Sequence, residues 1–148
     1  MLRIRPATTA DRAALAHAFE ALWPNAMLDS HDAELARILA GEPVATLPLI
    51  ILVAEDAGEV VGFCEVDLRS HADGCDPARP VAYVEGWYVA PERRGQGVGR
   101  ALITAAEAWG RTHGVTEISL NFALRQQICR LSVRQILHRF ARASWPLP

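Results

Sequence analysis

Residues 2–8, LRIRPAT, alternate apolar and polar side chains with period two, the rhythm of a half-buried strand. The rhythm lengthens to that of a helix over ADRAALAHAFEALW, residues 10–23, with Thr8 or Thr9 as cap and Pro24 as stop. A second short helix is predicted over SHDAELARILAG, residues 30–41, capped by Ser30 and ended by Gly41. LPLIILVAED, residues 47–56, is apolar almost throughout and predicts a strand. AGE turns it, and VVGFCEVDLR, residues 60–69, returns as its hairpin partner. SHADGCDPARP, residues 70–80, has the Gly, Pro and Asp content of a loop. A strand over VAYVEGWYV (81–89), a helix over 95–114 and a strand over VTEISLNF (115–122) follow. RQQICRLSVRQILHRFARA, residues 125–143, shows a partial apolar stripe at Ile128, Leu131, Ile136 and Leu137 and predicts a last helix. The order β-α-α-β-β-β-α-β-α predicts one mixed α/β domain spanning 1–148, without repeat or linker.

Composition narrows the setting. The chain has 148 residues, 51% hydrophobic and 22% charged, enough for one domain with a real core. No apolar run reaches membrane-spanning length, and the first residues lack the apolar stretch of a signal peptide, so a cytoplasmic, membrane-free protein is expected. Three scattered cysteines, Cys64, Cys75 and Cys129, suggest neither a disulfide framework nor a metal site.

Charge is unevenly placed. Residues 1–117 hold ten arginines against all seventeen acids, a net charge of −7. The remaining residues hold five arginines and no acid, and lysine is absent throughout. The acidic body favours a cationic small-molecule partner and disfavours nucleic acid. Five arginines without interleaved aromatics are a weak nucleic-acid signal.

The chemistry concentrates where the strand 81–89 meets the helix after it, in VAPERRGQGVGRALI (89–103). The first N–H groups of a helix have no intrahelical partners and sit at the positive end of its dipole, a setting that binds phosphate. Gly95, Gly97 and Gly99 remove side chains that would hold a pyrophosphate off the backbone. Arg93, Arg94 and Arg100 add charge at the rim. A P-loop is excluded because it needs a lysine, and the spacing G-Q-G-V-G does not match the dinucleotide fingerprint.

What the spacing does match is R-x-x-G-x-G, Arg94 to Gly99, after V-x-P-E-x-R. It resembles the coenzyme A pyrophosphate loop of the GCN5-related N-acetyltransferases, as does the element order up to about residue 120. The resemblance implies that family's fold, a mixed and mostly antiparallel sheet flanked by helices, with a V-shaped opening between the EGWYV and ISLN strands. It implies acetyl-CoA as co-substrate, no metal, and direct attack by an amine. Trp87, Tyr88 and Val89 would hold the pantetheine arm through their backbone, with the Val89 N–H polarising the thioester. Arg94, Gly95, Gln96, Gly97, Val98, Gly99 and Arg100 would hold the pyrophosphate.

The acceptor side is read from carboxylates, because an attacking amine must arrive as a cation and lose a proton. Glu85, mid-strand among aromatics, is costly there unless it has a partner, and is a candidate catalytic residue. ALWPNAMLDSHDAEL, GFCEVDLRSHADGCD and VEGWYVAPERRGQGVGRALI together look like the aminoglycoside 6′-N-acetyltransferases. That likeness implies Trp23 and Glu85 as substrate-site residues, and Asp73 and Asp76 as further candidates on a bordering loop. It places Asn121 where the group has an aspartate, in a position to hydrogen-bond substrate but not to act as a base. An acceptor outside that group, such as a polyamine or a protein N-terminus, and a non-catalytic coenzyme A-binding protein stay open as alternatives. A homodimer is also expected.

From residue 121 the pattern departs from the family, and the final hairpin is expected to be incomplete. An all-arginine chain suggests a GC-rich gene, and shifted reading frames of such genes encode Arg, Ala, Ser and Pro. Residues 121–148 are therefore read as a divergent or frameshifted tail.

Overall fold

A computed structural model of the chain describes residues 1–24, 28–122 and 125–127. Its elements are β1 (Arg3–Pro6), α1 (Arg12–Leu22), α2 (Leu28–Leu39), β2 (Leu49–Asp56), β3 (Glu59–Arg69), β4 (Val81–Val89), α3 (Val98–Thr112), β5 (Ile118–Phe122) and β6 (Arg125–Gln127). The six strands form one sheet in sequence order. Every neighbouring pair is antiparallel except β4–β5, which is parallel because α3 crosses between them. This is the mixed α/β architecture expected from the sequence.

Two corrections concern helices. Ser30 lies inside α2, which begins at Leu28, so it is not that helix's cap. Arg125–Gln127, the start of the expected last helix, is instead β6, paired antiparallel with β5 through Phe122↔Arg125, Asn121↔Gln126 and Leu120↔Gln127. Three residues that can pair with an existing strand gain ladder bonds that an uncapped first helical turn would lack. The rest of that expected helix lies outside the described residues.

The two faces of the sheet build two cores. On one, Val98, Leu102, Ile103 and Ala106 of α3 pack on Leu52, Val66, Ala82 and Val84. Their i, i+4, i+8 spacing puts them on one stripe, and each large side chain buried there contributes roughly 1.5–3 kcal/mol. On the other, Leu15 and Phe19 of α1 and Leu35 of α2 pack on Ile51, Val53 and Phe63. Asp11, just before α1, is 5% exposed. It takes two hydrogen bonds from Arg5, at 2.7 and 2.8 Å, and two from Thr8, at 2.8 and 2.9 Å.

The irregularities of β4 position the site. Its parallel pairing with β5 covers only Ala82–Val84 against Ile118–Leu120, so from Glu85 onward β4 runs free of β5. At the same point its register with β3 slips, Glu65 opposing Gly86 while Val66 opposes Val84. Glu85 is therefore the extra residue of a β-bulge, the device by which a strand re-aims a side chain.

Candidate active site

The bulge breaks the alternation of faces. Val84 and Trp87 lie on the α3 side, among that core's residues. Glu85 lines a cavity on the α1–α2 side, and a Cβ on Gly86 would meet Trp23 and Phe63 on that same side. Two consecutive β4 positions thus face α1 and α2. One bears a carboxylate, and the other is bare so that the Trp23 indole can lie against the strand.

The cavity holds about 310 Å³ and is walled by Phe19, Trp23, Leu35, Ile38 and Leu49. Its polar part is Glu65, Asp67 and Glu85 on the sheet and Glu34 on α2. Trp23 is fixed edge-on to Phe19, centroids 5.4 Å apart. Arg69 adds one cation to the sheet face, hydrogen-bonded to Glu85 and 3.6 Å from Asp67. Burial pushes the Glu65 carboxyl up to about 7, helped by the charges of Glu85, Glu34 and Asp67. Burial and the Glu85 charge lift Asp67 to about 6, against the pull of Arg69.

Glu65 and Asp67 were not singled out from the sequence. Period-two alternation in GFCEVDLR reads equally as a strand with one solvated face. The available signal was that three carboxylates at 65, 67 and 85 fall on paired strands, on the face opposite the α3 core.

The other candidates divide. Asp76 accepts from the Ala78 N–H at 2.9 Å, and its own amide donates to Glu117 at 3.0 Å, just before β5. Asp73 and Asp76 thus sit on the loop after β3, apart from the cavity lining. Asn121 is on β5, one residue past the last pairing with β4 and level with Glu85 across the gap. The thiol of Cys64 is pushed well up by burial and then by Glu65, which removes it as a nucleophile.

The free edge of β4 has its own chemistry. The Ala90 N–H bonds Val61 at 3.0 Å, which makes Gly62–Val89 a pair that exchanges no ladder bonds. The N–H and C=O of Val89 therefore point away from β3 into the gap, and those of Trp87 follow by alternation. Tyr88 is corrected here: its peptide groups turn to β3, and its ring stacks on Phe63 at 6.2 Å.

Beyond β4, a 3₁₀ turn (Pro91–Arg93) leads into the glycine loop. Gly95 and Gly97 have φ of +73° and +84°, the left-handed region, and a Cβ on either would point into open space. Gly97 caps α3, whose first N–H groups face the same region. Arg94 donates to the Val89 carbonyl at 3.0 Å, placing its guanidinium at the mouth of the gap. Gln96 braces the loop through the Glu92 carbonyl at 2.9 Å, and Arg100 is exposed on the first turn of α3, after buried Val98. Gly99 serves another purpose than expected, since a Cβ there would come within 2.8 Å of the Trp87 ring. Arg93 also turns away from the loop, to Asp56. A gap edged by a strand without a β-partner on that side, running to a helix N-terminus with bare glycines and a guanidinium, fits an extended chain ending in a pyrophosphate.

Comparison with known proteins agrees with this geometry. The profile of the acetyltransferase (GNAT) family matches residues 12–128. An aminoglycoside N(6′)-acetyltransferase type 1 of Klebsiella aerogenes is 41% identical over 116 residues, covering 78% of this chain and 75% of the relative. One of Stenotrophomonas maltophilia is 43% identical over 116 residues, covering 78% and 72%. The solved structure of AAC(6′)-Iy in complex with the bisubstrate analogue CoA-S-monomethyl-acetylneamine superposes with a TM-score of 0.75 at 27% identity, covering 95% of this chain and 88% of that one.

Proposed function

This chain belongs to the GNAT acetyltransferase family, and we propose that it is an aminoglycoside 6′-N-acetyltransferase, moving acetyl from acetyl-CoA to a primary amine by direct attack. The observation that carries this reading is the meeting of two half-sites on β4. The strand's free edge offers peptide groups and the glycine loop to the donor, while its bulged face offers carboxylates to a cation.

Bound acetyl-CoA supplies the activated acetyl thioester. The chain's own residues do the rest. Trp87 turns its peptide groups and Val89 its N–H toward the gap, the Val89 C=O being held by Arg94, and the Val89 N–H is the donor aimed where negative charge develops. Arg94, Gly95, Gln96, Gly97 and the first turn of α3, with Arg100 at its rim, hold the phosphates. The four carboxylates of the cavity draw in a polycation and strip part of its water. Trp23 gives one amino-sugar ring a flat apolar wall. Glu85 orients the reacting ammonium and takes up its proton, directly or through one water. Asn121, level with it, donates or accepts a hydrogen bond but takes up no proton.

The single sheet supports reading 1–148 as one domain. The charge break supports a divergent or frameshifted stretch from 121, which sequencing of the neighbouring frame tests. Among the described residues no helix is long and apolar enough to cross a membrane. Cytoplasmic residence and a homodimer belong to the proposal.

The test is thiol release from acetyl-CoA with kanamycin, tobramycin and spermidine, wild type against Glu85→Ala. Turnover with the antibiotics, reduced at least tenfold in the variant, is expected. Turnover with spermidine alone moves the acceptor to polyamines, and coenzyme A binding without any turnover removes catalysis from the reading.

A further inference from the structure

We infer that Arg69 is the positioning residue of the acceptor site, gripping Glu85 and Asp67 from outside the cavity so that both carboxylates meet the entering amine as one preset pair. The inference rests on the acetyltransferase reading above. Arg69 closes β3. Its Nη2 donates to Glu85 Oε1, and its Nε lies 3.6 Å from Asp67 Oδ2. Its guanidinium carbon sits 3.5 Å from the centroid of the Tyr83 ring, and Tyr83 is the cross-strand partner of Asp67. A planar cation held on an aromatic face has one orientation, and its fork reaches two carboxylates at once.

The side from which it grips decides its role. Asp67 and Glu85 line the cavity, whereas Arg69 and Tyr83 do not. The guanidinium therefore stands beside the carboxylates, outside the cavity lining and out of the place a substrate ammonium takes. Asp67 Oδ1 is buried without a hydrogen-bond partner among the described residues, an acceptor still to be supplied with a donor.

The charged and titratable groups facing the pair are Glu65 and Arg69 on β3, Tyr83 on β4 and Glu34 across the cavity on α2. All but Arg69 and the phenol are carboxylates. Without the guanidinium, two neighbouring carboxylates resist ionising together. They then hold a proton into the pH range where the site must be anionic. Lysine keeps the charge but neither the fork nor the stacking.

The experiment follows the side-chain carboxyl carbons of Asp67 and Glu85 by NMR titration, with the acid limb of kcat/KM for tobramycin, in wild type, Arg69→Gln and Arg69→Lys. In Arg69→Gln the Asp67 midpoint is expected to rise by about one pH unit or more, and the acid limb to move with it. At pH 7 the fall is expected in kcat. Arg69→Lys is expected to restore the midpoint in part and kcat less. An unchanged Asp67 midpoint in Arg69→Gln overturns the inference. So does lost activity with the acid limb fixed and only the Tm lowered, which marks a merely structural arginine. If the wild type acetylates no amine, the acetyltransferase reading fails, while the carboxyl titration still decides whether Arg69 sets the pair.

Discussion

Gly86→Ala adds one methyl group where β4 carries the indole of Trp23. The position is not in the left-handed region, so backbone strain plays no part and the clash alone decides the outcome. The added carbon would stand 2.6 Å from Trp23 Cη2, 3.1 Å from its Cζ2 and 3.1 Å from Phe63 Cε2. Carbon atoms rest at about 3.5–4.0 Å, so the indole must retreat by roughly 1 Å. Phe19 stands against its edge at 5.4 Å and Phe63 at 6.4 Å between centroids, which limits the retreat. Overpacking of this kind costs about 1–3 kcal/mol, a fall of about 3–10 °C in Tm for a chain of this size. Trp23 also walls the cavity, so KM for the antibiotic acceptor is expected to rise about tenfold, roughly 1.4 kcal/mol. Coenzyme A affinity is expected to hold, because Trp87 and the glycine loop lie on the other side of the strand. Thermal unfolding and steady-state kinetics read these separately. Trp23→Phe removes the two crowded indole atoms, so the double variant is expected to show a coupling of about 1 kcal/mol or more. A Tm within one degree of wild type with unchanged KM refutes the reasoning, as does strict additivity of the pair.

Three further expectations are independent of it. Gly97→Ala forces a side chain into φ +84° beside the α3 N-terminus; coenzyme A is expected to bind about tenfold more weakly, roughly the effect of 1–2 kcal/mol of strain, with acceptor KM unmoved in the same assay. Glu65 has its carboxyl raised by burial to about 7, so its contribution to stability is present below its ordinary value of about 4.5 and lost as pH rises through 7. Glu65→Gln should therefore raise Tm at pH 8 and not at pH 5, while KM for a cationic acceptor rises at pH 8; a Tm gain equal at both pH values contradicts this. Asp11 is held far below the usual carboxylate range by its bonds from Arg5, so its contribution is present above about 3.8 and lost progressively as pH falls from there toward the much lower value of the folded state. Asp11→Asn is expected to cost about 3 kcal/mol at pH 7, read as a lower urea midpoint, with the gap to wild type closing below pH 3.

The glycine loop and the strand before it were legible in the sequence because their requirements are local. A left-handed φ at Gly95 and Gly97 and a helix N-terminus after an apolar strand leave marks within a few residues. Glu85 was legible for a related reason, a charge set among aromatics. The roles of Gly99 and Arg93 were not, because each depends on a distant residue, the Trp87 ring in one case and Asp56 in the other. Glu65 and Asp67 were hidden by their own regularity. A strand alternating polar and apolar residues does not announce that its polar face lines a cavity, and only the packing of α1 and α2 shows it. The bulge at Glu85 leaves no mark in the composition either, since it is a property of how β3 and β4 pair. The same holds for β6, decided by a neighbouring edge and not by helical periodicity.

The division of β4 into an edge for the donor and a face for the acceptor has an evolutionary consequence. The two recognition tasks run along perpendicular directions of one strand, so they can drift separately. Substitutions at Glu34, Val44, Ala45, Leu49 and Glu65, all on the cavity wall and off β4, can retune which amine is accepted while the machinery that delivers the acetyl group stays fixed. A population of such chains under changing antibiotics is expected to record its history on β2, β3 and α2, and to leave β4 and the glycine loop almost unwritten.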